Sequence, residues 1–222
     1  AGPSGEAWSE AKSWYELLDN PQVSVDELRA VRRRVVRAES PSGPEGQVLV
    51  VHDVSELNYT GHAAKRDRRP LGNGQSRGYE YHACLVLEPV SGRFLGLAHD
   101  TVIARDGPDD RAFVDYEGDP LCAGLSAEAC ATLPDNHRHQ LSVHIRALAG
   151  LWTGPRVVHA ADREFDDLPA MASARAAGHD FVLRALGTRT VEAPVPEGWR
   201  AMPLCRALEA LPMQPYKELP LD

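Results

Sequence analysis

The sequence has no long apolar run. Its longest stretches, such as Val48-Leu49-Val50-Val51 and Ala83-Cys84-Leu85-Val86-Leu87, fall far short of the ~20 residues of a membrane-spanning helix. No basic segment leads into an apolar one at the start, so nothing reads as a signal peptide, and no membrane partner is expected. Cysteine is scarce: Cys84, Cys122, Cys130 and Cys205 form no C-x-x-C pair. Cys84 lies in an apolar, strand-like run, where a reduced and buried thiol is expected, and the compartment implied is the cytoplasm. Positive charge is also short, with 24 Lys and Arg against 32 Asp and Glu and a formal charge of −8. A chain that clamps phosphates over its whole surface is normally basic, so this balance alone speaks against nucleic acid. There is no P-loop, no dinucleotide fingerprint and no Ser-His-Asp order. Internal repeats and low-complexity tracts are absent too.

What remains is a globular chain of 222 residues, 43% apolar and 25% charged, sufficient for one large domain or two small ones. It starts at Ala1-Gly2-Pro3 without a Met, the mark of a processed, engineered or excised N-terminus. Residues 8–38 carry helical spacing, broken at Asp19-Asn20-Pro21. Ser24-Val25-Asp26-Glu27 reads as a capping box. The helix after it sets Leu28, Val31 and Val35 on one face and Arg29, Arg32, Arg33, Arg34 and Arg37 on the other. Such a basic face is expected to be solvated or to touch a phosphate backbone.

Pro41–Gly46 is a linker, and strands follow it. Gln47–His52 is a short apolar strand ending in the polar group Asp53-Val54-Ser55-Glu56. Tyr79–Glu88 and Arg93–Ala104 form a predicted hairpin. Residues 106–120 are acidic and loop-like, and Ser126–Trp152 is helical in spacing with a break at Pro134. Arg156–Ala161 is a strand ending at Asp162; Pro169–Ala177 is a helix stopped by Gly178; Phe181–Leu186 is a further strand. The order predicts an α/β fold, a mixed sheet flanked by helices with an N-terminal helical lead-in.

In open sheets, sites gather at the carboxyl ends of strands, where Asp53 and Asp162 are both placed. If their strands are neighbours the carboxylates meet, and their repulsion is relieved by a proton or by a divalent cation such as Mg²⁺ or Mn²⁺. Two metals so held can activate water and stabilise a leaving oxygen in phosphoryl transfer. The alternative is that each Asp caps the segment after its strand. Lys65-Arg66-Asp67-Arg68-Arg69, bounded by Pro70, Gly72 and Gly74, is either a solvated loop or a seat for a DNA backbone beside such a site. His137-Arg138-His139 with His144 gives H-x-H-x4-H, a conceivable zinc set, though solvated histidines are the commoner outcome.

Five stretches, in order, carry a resemblance. They are Trp14-Tyr15-Glu16-Leu17-Leu18-Asp19-Asn20-Pro21-Gln22-Val23-Ser24, Val50-Val51-His52-Asp53-Val54-Ser55-Glu56-Leu57, Ser76-Arg77-Gly78 with His82 and Leu85-Val86-Leu87-Glu88, Asp162-Arg163-Glu164-Phe165-Asp166, and Phe181-Val182-Leu183-Arg184. Together they resemble the Y-R-x-x-x-N-P-x-V-S, D-T-T-x-L, S-R-G…H-x-x-L-L-L-E, D-R-E-A-D and F-V-V-R segments of DDE transposases of the insertion sequence four and transposon five type. The resemblance spans roughly residues 8–190. It implies an RNase H-like core, Mg²⁺-dependent cleavage and transfer of DNA strands at transposon ends, and a nucleoid-associated protein. Asp53 and Asp162 would be catalytic metal ligands, Arg184 would fall on a DNA-contacting position, and Arg163 would stand beside the metal.

The sequence departs from the family pattern in three places. Val54 stands where Thr is common and Leu186 where a basic residue is often found. The family's third acid, in a Y-x-x-R-x-x-x-E-x-x-x-x-x-x-K helix, has no match: Tyr216-Lys217-Glu218 lacks the Arg, and Arg206-Ala207-Leu208-Glu209 has no Tyr ahead of it. The organisation implied is a helical segment and linker over 1–46, an RNase H-like core over 47–192, and a Pro-rich tail over 193–222 that opens the family's insertion. The chain thus reads as a central transposase fragment, inactive or incomplete alone. The alternative is a non-catalytic remnant that binds DNA, a full-length transposase or a second copy of itself, and acts as an inhibitor.

Overall fold

The computed structural model describes residues 5–71, 75–104, 137–166, 168–185, 187–196 and 198–209. Expectations placed on the acidic segment 106–120, on Cys122, Cys130, Pro134, Gly72, Gly74 and Leu186, and on the tail beyond residue 209 lie outside the described residues.

Two helices lead in, α1 (Gly5–Leu18) and α2 (Val25–Glu39). The α2 start is fixed locally. Ser24 Oγ accepts from the Glu27 amide while the Glu27 carboxylate accepts from the Ser24 amide, so two otherwise unsatisfied donors are paired. The orientation of α2 departs in part from the sequence expectation: Arg34 and Arg37 are exposed, while Arg29, Arg32 and Arg33 turn inward. Val36, 1% exposed, is the residue that enters the core, while Leu28, Val31 and Val35 remain exposed. Arg29 and Arg32 both reach Asp100, and Arg33 donates to the Ala98 carbonyl and contacts His99. An acid on the neighbouring strand, Asp100, thus pairs with the inward-turned part of the basic face.

The main sheet contains β1 (Gln47–Asn58), β2 (Arg69–Pro70), β3 (Arg77–Leu87), β4 (Phe94–Ile103), β5 (Arg156–Ala161) and β6 (Asp180–Leu183). β3 pairs antiparallel with β1 on one side and with β4 and β2 on the other; β5 pairs parallel with β1, and β6 parallel with β5. The result is a mixed sheet flanked by helices, the α/β class that the sequence order predicts. Helix α3 (His137–Leu148) precedes β5, and α4 (Leu168–Ala176) forms the crossover from β5 to β6. Parallel neighbours require such a crossover.

One sheet face meets the helices. Val48 and Val50 of β1, Cys84 and Val86 of β3, Leu95 and Ala98 of β4 and Val157 of β5 pack with Val36, Leu148 and Trp152. A second cluster joins Leu141 and Ile145 of α3 to Phe165, Ala170 and Ala174. Full burial of each large aliphatic side chain contributes roughly 1.5–3 kcal/mol.

Two boundaries differ from expectation. β1 continues to Asn58 because β3 pairs with it as far as Asn58–Gly78, although Ser55, Glu56 and Asn58 are exposed. Backbone pairing, which carries no sequence period, extends the strand. Beyond β6, residues expected to open a tail form a separate hairpin, β7 (Thr190–Val195) and β8 (Gly198–Pro203), followed by the short helix α5 (Leu204–Glu209). A boundary at residue 193 falls inside β7.

Candidate functional site

The β1–β5 ladder ends at the pair His52–Ala161. Asp53 and Asp162 are the next residue on each strand, so they stand side by side where the two chains part, with strand backbones about 5 Å apart. Along both strands burial alternates: Val48, Val50 and His52 face the core with Val157 and His159, while Asp53 and Asp162 are exposed. Both residues line an open pocket of about 420 Å³, together with Val51, His52, Ala160, Ala161, Val182, Leu183 and Arg184.

The two acids differ in local role. Asp53 lies within β1, not after it, and accepts a hydrogen bond from Ser55 Oγ at 3.2 Å. Asp162 caps the 3₁₀ turn Arg163–Phe165, accepting from the Arg163 amide at 2.6 Å. Capping thus describes Asp162 and not Asp53. Arg184, just after β6, places Nη1 3.6 Å from Asp162 Oδ1, with both side chains largely exposed.

The turn after β5 divides its side chains between site and core. Phe165 is fully buried and stacks on His82. Asp166 receives the Arg189 guanidinium and ties the turn to the segment before β7. Asp162 and Arg163 are left at the surface, Asp162 on the pocket wall.

The basic run splits in the same way. Lys65 and Arg66 are exposed, and Lys65 Nζ lies 5.1 Å from the Tyr59 ring centroid. Arg68 donates to the carbonyls of Lys65, Tyr59 and Thr60 and is committed to shaping its own loop. Arg69 departs from expectation: it belongs to β2, is 2% exposed and pairs with Glu80 at 3.0 Å. That pairing needs the guanidinium where no phosphate reaches it, and Arg69 is not a surface contact.

The oxygen-only, exposed donor set of Asp53 and Asp162 fits a hard divalent cation such as Mg²⁺ or Mn²⁺. Among the described residues no third carboxylate joins these two in a metal-ligating group. Of the H-x-H-x4-H set, the side chain of His137 lies outside the described residues and His144 is fully buried on α3. His144 instead meets His52, His82 and Cys84 on the core face of β1 and β3. The sequence signal for that grouping is His82-Ala83-Cys84, two ligand-type residues at strand spacing on one face.

Among the described residues no helix is long and apolar enough to cross a membrane. No protein-family model matches the chain, and no curated protein matches it. Among solved structures it is similar to the piggyBac transposase in a synaptic complex with hairpin DNA, at 12% identity and a TM-score of 0.34. The match covers 79% of this chain and 27% of that one, so the chain spans little more than a quarter of that protein's length.

Proposed function

We propose that this chain is the RNase H-like core segment of a DDE-type DNA transposase, of the insertion sequence four and transposon five type. The observation that carries the reading is the placement of Asp53 and Asp162 on neighbouring parallel strands, one residue beyond the last ladder pair, on the wall of one pocket. Five motif-like stretches in the order of that family support it. The strand order β4–β3–β1–β5–β6, antiparallel on one side of β1 and parallel on the other, suits the same reading.

Asp53 and Asp162 would hold Mg²⁺, which when bound supplies a Lewis acid for phosphoryl transfer. Arg184 and Arg163 stand where an anionic backbone would approach the pocket, and exposed Lys65 and Arg66 extend a basic loop. These cations offset locally a chain whose net charge is −8. Transposon-end DNA is the proposed partner.

Calorimetric titration of Mn²⁺ into the protein tests the metal site. Wild type is expected to bind weakly and Asp53→Ala and Asp162→Ala to lose that heat; identical isotherms for all three overturn the reading. A second reading is favoured by the lack of a third carboxylate beside the pair among the described residues. In it the chain binds DNA or a transposase without cutting, as an inhibitor. No joining of transposon-end DNA is expected from the purified chain alone, and efficient joining would overturn this second reading.

A further inference from the structure

Behind Asp53, on the opposite face of β1, a polar group is sealed in the apolar core. We propose that His52, His82, Cys84 and His144 form a structural zinc site that staples β1, β3 and α3 together. One donor atom from each of the four lies within 4.8 Å of every other. Their exposures are 3%, 0%, 0% and 0% in that order. Cys84 Sγ is 3.4 Å from His52 Nδ1 and 3.1 Å from His144 Nδ1. In a tetrahedral zinc site with Zn–N near 2.0–2.1 Å and Zn–S near 2.3 Å, neighbouring ligand atoms are about 3.3–3.6 Å apart. The two Cys84 contacts lie within about 0.5 Å of that spacing, and the remaining donor pairs, all within 4.8 Å, close on the ion when it binds.

The outer contacts orient the ligands as a metal requires. A ligating imidazole normally donates its other N–H to a fixed acceptor, which sets the tautomer and the ring angle. His52 Nε2 lies 2.8 Å from His159 Nδ1, and His159 Nε2 lies 2.9 Å from His179 Nδ1. A relay of N–H donors running outward along this row leaves His52 Nδ1 with its lone pair toward the cluster. His144 Nε2 lies 2.8 Å from Thr101 Oγ1, which frees its Nδ1 in the same way. Phe165 stacks on His82 and closes the site from water.

The donor set selects the ion. Three imidazoles and one thiolate suit Zn²⁺ and are a poor match for Mg²⁺ or Mn²⁺, which prefer oxygen. Four protein ligands and full burial make a closed, structural site with no position for a reacting water. Binding as a thiolate sends the Cys84 thiol proton to solvent and involves no change of oxidation state. The two metal sites then divide the faces of β1: oxygen ligands at exposed Asp53, nitrogen and sulfur ligands at buried His52. The competing arrangement is a metal-free hydrogen-bond network, in which His144 takes the other tautomer and accepts from Thr101.

The test uses the full chain, stripped with a chelator and loaded with Co²⁺ and, separately, with Zn²⁺. About one Co²⁺ per chain is expected, with the visible bands of tetrahedral cobalt and a near-ultraviolet thiolate charge-transfer band, both lost on adding Zn²⁺. Cys84→Ser should lose the charge-transfer band. Cys205→Ser, and Asp53→Ala with Asp162→Ala, should keep it. X-ray absorption at the zinc edge of the wild-type protein needs no variant to fold. It should show one sulfur near 2.3 Å with nitrogen neighbours. A pale, octahedral cobalt spectrum, a zinc shell without sulfur, or no metal retained after loading would each overturn the proposal.

Discussion

Gly78 lies against the Leu57 carbonyl where β3 crosses the end of β1, and a Cβ at residue 78 would overlap that oxygen. Residue 78 pairs with Asn58, so the close approach joins the last rung of the β1–β3 ladder. The obstacle is backbone and cannot rotate aside. Gly78→Ala should therefore cost at least about 1–3 kcal/mol, as overpacking does, and lower the urea midpoint. A midpoint that moves by no more than an ordinary surface substitution would show that the strands part without cost.

That contact gives a physical reason for the glycine of Ser76-Arg77-Gly78, which the sequence offered only as part of a resemblance. Much else was legible because it is local. The Ser24–Glu27 box, the strand Arg156–Ala161 and the stop at Gly178 (φ 71°) each follow from short-range chemistry. The adjacency of Asp53 and Asp162 was legible only conditionally, since it depends on which strands pair. Three features were hidden because they depend on a distant partner. β1 runs past Asp53 because β3 is there to pair with it. Arg69 is buried because Glu80 faces it. The histidine–cysteine cluster draws residues 52, 82, 84 and 144 from three elements, and the His82-Ala83-Cys84 spacing marks only two of its four members.

The inward turn of the α2 arginines makes a prediction that separates two apolar positions five residues apart on the helix. Val36 is 1% exposed and its Cγ2 would lie 2.8 Å from a Cβ built on Gly96, whereas Val31 is 47% exposed. Val36→Ala should destabilise by about 1.5–3 kcal/mol. Val31→Ser should fall within about 0.5 kcal/mol of wild type, as surface changes do. Thermal or urea melts of the two variants decide it: equal losses would mean that the apolar stripe of Leu28, Val31 and Val35 is the face that docks.

Arg69 and Arg66 are three residues apart and should behave oppositely. Removing one member of a buried ion pair leaves a charge stranded, at about 3–5 kcal/mol. Arg69→Ala should lose stability on that scale by leaving Glu80 without its guanidinium, and the double variant Arg69→Met/Glu80→Leu should recover much of it. Arg66→Ala, at an exposed position, should leave the melt unchanged and weaken DNA binding most at low salt, where phosphate contacts dominate. Equal DNA affinity for Arg66→Ala and wild type across a salt series would remove that residue from the proposed interface.

Acid should unfold the metal-free protein earlier than its carboxylates alone would. Burial, with the nearby His179, holds His159 down to about 3, and burial with the charges of Arg33 and Arg29 holds His99 down to about 4. His179 is lowered by burial as well. The ordinary histidine value is 6.5, so below that pH the unfolded chain binds protons that the folded chain refuses. Stability then rises with pH across this window. At pH 7.5 the effect is absent; it grows as pH falls from 6.5 toward 4 for His99 and toward 3 for His159. For a fully buried histidine such as His159 the slope is about 1.4 kcal/mol per pH unit. Urea midpoints measured in chelator at pH 7.5, 6 and 5 should fall steadily, and His159→Gln should make the fall shallower. A flat midpoint over that range would mean that these rings accept protons inside the fold and that the row from His179 to His52 is open to water.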